Sequence, residues 1–160
     1  MKEPKIGQQV PHVLALKTGD VVAIPTRDGR WAFGHVFRGA TLGVFRCLSF
    51  KPLALELLAG QQMAFHVGFF CTPKQKSDFD WVYLGKIPFT SDDEAWPPPR
   101  YIEDVASPGN FSLYDKGGII PASKQQVQGL QKQVMSSPAS IRKRILENCI
   151  DWPICKADLE

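Results

Sequence analysis

Short apolar runs separated by turn residues begin at Gly19. Gly19-Asp20-Val21-Val22-Ala23-Ile24-Pro25-Thr26 reads as a strand, and Trp31-Ala32-Phe33-Gly34-His35-Val36-Phe37-Arg38 as its return. Between them lies Asp28-Gly29, a pair favoured in a type I′ turn because both central residues take φ > 0. Gly39-Ala40-Thr41 makes a second turn, and Leu42 to Leu48 a third strand. Sequential antiparallel neighbours joined by short turns form a meander. Met63 to Phe70 alternates again, with Met63, Phe65, Val67 and Phe69 on one face. Asp80 to Gly85 is a strand closed by Lys86-Ile87-Pro88. Phe111 to Asp115 is a short one that meets a hairpin turn at Lys116-Gly117-Gly118.

The period then changes. Leu53, Glu56 and Leu57 suit a short helix ending at Gly60. Ser123 with Gln126 forms a capping-box pattern, followed by Val127, Leu130 and Val134 at helical spacing. Ser137-Pro138 opens a second C-terminal helix, striped by Ile141, Ile145 and Cys149 and stopped at Asp151-Trp152-Pro153. Strands first and helices last predict an α+β fold: a curved antiparallel β-sheet, a meander that could be barrel-like, with two C-terminal helices packed on it. Residues 1–18, punctuated by Pro4, Gly7 and Pro11, read as a loose N-terminal segment. Residues 19–150 read as one α+β domain and 151–160 as a C-terminal tail. Residues 91–100 form a long loop, acidic at Asp92-Asp93-Glu94 and stiffened by Pro97-Pro98-Pro99.

A chain of 160 residues is the size of one domain and buries roughly 70% of its unfolded surface, so it needs neither disulfides nor a metal to fold. Its net charge of +3 is well below that of a typical nucleic-acid binder. The longest basic run, Arg142-Lys143-Arg144, is divided around a predicted helix and reads as a solvated face. The first residues carry no apolar core of a secretory signal, and no stretch approaches the ~18 apolar residues of a membrane span. The expected compartment is the cytoplasm, with Cys47, Cys71, Cys149 and Cys155 reduced.

The chemistry-bearing residues are scattered. No C-x₂₋₄-C or H-x₃₋₅-H pair suggests a metal, and no glycine-rich phosphate loop suggests a nucleotide. No cofactor is expected. A nucleophilic site would need Cys47 or Cys71 beside His35 or His66. The simpler reading makes these core thiols and hydrogen-bonded imidazoles. The strand face of Trp31, Phe33, His35 and Phe37 is too apolar for water and reads as core.

The first hairpin carries a likeness. Gly19-Asp20-Val21-Val22-Ala23-Ile24-Pro25, then Asp28-Gly29-Arg30-Trp31-Ala32-Phe33-Gly34-His35-Val36, resembles the opening of the immunity protein 26 family of bacterial polymorphic toxin systems. That opening runs G-D-hydrophobic-x-x-I-P-L, then D-G-x-aromatic-A-x-G-R-V. The strands Trp81 to Pro88 and Phe111 to Tyr114 and the segment Val127 to Leu130 extend the likeness over residues 18–147. His35 stands where the family often has Arg, and Thr26 where it often has an apolar residue. The resemblance implies an α+β fold without enzymatic activity. It also implies an antidote that binds a cognate protein toxin encoded beside it, and it brings no catalytic residues. The length and composition of the long loop, not the resemblance, select Asp92, Asp93, Glu94, Trp96, Arg100 and Tyr101 as candidate partner contacts. Two other functions fit the residues: a small nucleic-acid-binding module on a barrel-like sheet, and a hydrolase using His35 or His66 with Cys47 or Cys71.

Overall fold

The computed structural model describes residues 3–52, 55–70 and 79–155. In chain order the elements are β1 (Asp20–Pro25), β2 (Trp31–Phe37), β3 (Thr41–Phe45), α1 (Leu55–Leu58), β4 (Met63–Phe69) and β5 (Val82–Lys86). They continue with β6 (Arg100–Glu103), β7 (Phe111–Asp115), β8 (Gly118–Ala122), α2 (Lys124–Val127), β9 (Met135–Ser136) and α3 (Pro138–Asn148). The fold is α+β, as the order of strands and helices predicts. Its main sheet is open, in the order β5-β1-β2-β3-β4-β9. Every pairing in it is antiparallel except β4 with β9. A second, antiparallel sheet of three strands runs β6-β7-β8.

The central strands β1, β2 and β3 are covered on both faces, which explains their nearly unbroken apolar runs. On one face Val22, Ile24, Val36, Leu42, Val44 and Trp81 pack beneath Ile141 and Ile145 of α3 and Cys149 just after its end. On the other, Val21, Ala23, Phe33, Phe45 and Cys47 pack with Leu58 of α1 and Cys155.

Both chain ends depart from the expected boundaries. The segment expected to be loose lies along β5: Gly7 N donates to Tyr83 O, Tyr83 N to Gln8 O, and Val10 N to Trp81 O. Val10 and Val13 enter the core. The segment satisfies the otherwise bare edge of β5, which Pro and Gly punctuation alone conceals. At the other end, residues 151–155 are no tail. Trp152 and Cys155 are buried, and Ile154 bridges to Leu48 in parallel. Residues 71–78 and 156–160, Cys71 among them, lie outside the described residues.

Local chemistry accounts for three further differences. The first hairpin forms with Pro25 opposite Trp31, but Arg27 and Gly29, not Asp28 and Gly29, take positive φ. Asp28 serves as an acceptor, bonding the Arg30 amide and guanidinium and the Thr26 hydroxyl, so the loop is longer than two residues. The first C-terminal helix is the single turn α2. Its capping box on Ser123 and Gln126 is present, but Gly129 at φ 81° turns the chain away, and Val134 lies outside any helix. In β4, a shift of register pairs Val44 with Phe65 and Phe45 with Met63. Met63 therefore packs with the second cluster, away from Phe65, Val67 and Phe69.

Candidate functional site

The two histidines of the main sheet flank one glycine. His35 of β2 and His66 of β4 each pair with Gly43 of β3. A Cβ on Gly43 would lie 2.6 Å from Cε2 of Phe37, so the Phe37 ring occupies the space above it. That ring stands 5.4 Å from the His35 ring and 4.9 Å from the His66 ring and separates the imidazoles. His35 also stacks on Phe89 at 4.4 Å and on Phe45 at 6.0 Å, and its Nε2 donates to Ile87 O at 2.8 Å. Burial pushes His35 below its ordinary range. Burial, and then the charge of Arg100, push His66 down to about 4, so its ring is neutral at pH 7. The two positions that depart from the immunity-family pattern are both buried: His35 bonds Ile87, and the Thr26 hydroxyl donates to Arg30 O at 2.8 Å.

The thiols lie in packed surroundings. Burial first, and then the neighbouring Cys155, raise the Cys47 thiol, which disfavours the reactive thiolate. Cys149 closes α3 with its Sγ 3.8 Å from Leu146 O. Among the described residues, no group of three or more His, Cys, Asp and Glu side chains is placed to hold a metal ion.

The acidic loop is pinned to the rest of the chain. Asp92 pairs with Arg38 of the β2–β3 turn at 2.6 Å, and Asp93 with Lys116 of the β7–β8 turn at 2.8 Å. Arg38 N donates to Ala95 O at 2.8 Å. Glu94 turns inward on its own loop, accepting from the hydroxyl and amide of Thr90. The Trp96 ring covers both turns: Cβ atoms on Gly39 and Gly117 would lie 3.3 and 3.4 Å from it. The segment is a clasp between the two sheets, and its acids are exposed but internally paired. Most other cations near an acid are also paired. Within the basic run, Arg142 reaches Asp80, Lys143 reaches Glu147 and Arg144 lies over the Phe65 ring at 4.0 Å.

Arg100 and Tyr101, adjacent in sequence, point to opposite faces of the small sheet. Tyr101 is half-buried with its ring 6.1 Å from Phe111, and its backbone holds Gln131 and Gln133 in an extra strand-like contact. Arg100 is 1% exposed. Its Nη2 donates to Thr41 Oγ1 at 3.2 Å, and its guanidinium carbon lies 5.3 Å from the Tyr114 ring. Nε and Nη1 have no hydrogen-bond partner, and Arg100 takes part in none of the ion pairs among the described residues. Burial holds its pKa below the usual guanidinium value. The residue lines a cavity of about 210 Å³ together with His66, Met63, Phe65, Pro99 and Leu130. Gln131 closes one wall, its Oε1 accepting from His66 N at 3.0 Å.

The outer strand of the small sheet is thinly covered. Four residues of β8 are exposed, with Ile119 at 61% and Ile120 at 57% on opposite faces. Ile119 lies opposite Tyr114, and Ile120 opposite Leu113. These isoleucines and the buried guanidinium are what sequence reading misses. A five-residue strand beyond the Lys116-Gly117 turn was the available signal for the first; a buried arginine has no signature in composition. Compared with protein-family models, curated proteins and solved structures, the chain matches none.

Proposed function

We propose that this chain is an immunity-type protein that binds a cognate protein toxin and neutralises it by covering it. The observation that carries this reading is the small sheet. Its outer strand β8 leaves Ile119 and Ile120 in solvent, and Tyr101, Phe111 and Leu113 are only half-buried behind it. Scattered exposed apolar residues are ordinary, but exposed β-branched side chains on a sheet edge backed by aromatics supply anchors for a protein partner. The edge of β8 also offers unpaired backbone groups to an added strand. Two features of the chain's chemistry support binding over catalysis: the separation of the two imidazoles by Phe37 and the suppressed acidity of Cys47. Several basic side chains are held by acids, Arg38 by Asp92, Arg46 by Asp151 and Arg142 by Asp80 among them, which favours a protein partner over the phosphates of nucleic acid. The likeness of the first hairpin to immunity proteins points the same way.

Co-expression with the toxin domain encoded beside this gene tests the reading. Cells carrying both are expected to grow, and cells carrying the toxin with an Ile119→Lys, Ile120→Lys chain are expected to be arrested. Growth arrest with the unaltered chain for every toxin domain encoded nearby would count against it.

A further inference from the structure

We infer that the cavity between the two sheets is a carboxylate-binding site, with the guanidinium of Arg100 as its cationic anchor. A buried guanidinium with neither a carboxylate nor a full set of acceptors is costly, because desolvation of the charge is not offset. Thr41 accepts a single hydrogen bond, and the Tyr114 ring supplies only its π face. Nε and both hydrogens of Nη1 remain without acceptors. His66 gives no relief, since its ring carries no negative charge in any ordinary protonation state and Arg100 itself disfavours the cationic form. The missing component is an anion, and the residue that lacks it lines a cavity of about 210 Å³.

The lining selects the kind of anion. Met63, Phe65, Pro98, Pro99 and Leu130 make the walls largely apolar, and one cation stands among them. A single negative charge balances that cation, whereas a phosphate dianion would leave excess charge in an apolar wall. A carboxylate also matches the planar guanidinium. The apolar walls further favour a short hydrocarbon stem behind the carboxylate. Two sources present this chemistry: a free short-chain carboxylic acid and the side chain of a Glu or Asp on a partner. The site goes beyond the proposed function, and it stands or falls without any toxin in hand.

The full chain, labelled with ¹⁵N, is titrated at constant ionic strength while the sequentially assigned Nε–H resonance of Arg100 is followed. Sodium acetate and sodium butyrate are expected to shift it saturably, butyrate at the lower concentration, and sodium chloride is expected to leave it in place. A capped Ala-Glu-Ala peptide reports on the source: a saturable shift with the peptide assigns the site to a partner's side chain, and a shift with the free acids alone assigns it to a small molecule. Arg100→Met is expected to weaken binding by about tenfold or more, read on neighbouring amides, since hydrogen bonds to a charged group carry at least that factor. An apolar side chain of similar length is commonly tolerated in place of a buried charge. If that variant does not fold, the titration of the unaltered chain still decides. No saturable shift with any carboxylate, an equal shift with chloride, or tighter binding of sodium phosphate would overturn the assignment.

Discussion

At the residue scale, the buried polar groups decide the behaviour of the core. His66 is the clearest case. Its folded pKa of about 4 lies below its unfolded value of 6.5. Between those values the unfolded chain binds a proton that the folded chain refuses, so stability is complete above about pH 6.5 and falls as pH drops toward 4. The full loss is roughly 3 kcal/mol and levels off once the folded ring is protonated. His35, depressed by its own burial, adds in the same direction. Urea unfolding at pH 7.5 and 4.5 should show this loss, and His66→Gln should reduce it; an unchanged pH dependence in the variant would assign the effect elsewhere. Gly43 makes a second case, through space and not backbone freedom. A methyl group there meets Phe37 at 2.6 Å and Met63 Sδ at 3.0 Å, with the packed rings of His35 and His66 behind them. Gly43→Ala is expected to cost about 1–3 kcal/mol of unfolding free energy, the range for overpacking a filled core.

At the element scale, the loop 91–96 acts as a clasp. Trp96 spans the β2–β3 and β7–β8 turns, and Asp92 and Asp93 fasten the same two turns by exposed ion pairs. Exposed pairs contribute little, while a half-buried indole contributes through area. Trp96→Ala is therefore expected to lower stability by about 2 kcal/mol. It should also speed amide exchange in β6, β7 and β8. Asp92→Asn with Asp93→Asn should leave the melting temperature nearly unchanged. Differential scanning calorimetry with hydrogen exchange checks both. The C-terminal stretch belongs to the same scale. Trp152 is buried in the main core with its ring 6.4 Å from Phe65, and Trp152→Ala is expected to cost about 3–5 kcal/mol. Chemical denaturation would contradict this placement if the loss were under 1 kcal/mol, as expected of an exposed tail residue.

The meander was readable because β1 to β3 are short apolar runs separated by brief turns and β4 is an apolar run with partial alternation, and α3 because Ser137-Pro138 and the Ile141–Ile145 stripe agree. The terminal segments were not readable. Their backbone hydrogen bonds to Trp81, Tyr83 and Leu48 are long-range, and their few apolar residues lack a period. Strand β6 was hidden for a similar reason: it begins immediately after three prolines and is only four residues long. The candidate loop was legible as a feature, but the roles of its residues were not. Ion pairing to distant turns converts Asp92 and Asp93 from free charges into fasteners, and burial converts Arg100 from a surface anchor into the wall of a cavity.

For the whole molecule, burial is divided unevenly between two sheets. The six-stranded sheet is packed on both faces and holds the chain together. The three-stranded sheet is clasped to it and keeps an apolar outer strand in solvent. That division suits a protein whose partner completes the burial of the smaller sheet, with an interface of about 800 Å² or more on each side. The direct measurement of the proposed function is isothermal titration of the purified chain with each candidate toxin domain found encoded nearby, for the unaltered chain and for Ile119→Lys with Ile120→Lys. A one-to-one complex that the double variant weakens at least about a hundredfold is expected, as for the loss of a central anchor pair. Equal affinity of the two chains for the toxin, or no heat of binding with the unaltered one, would contradict it.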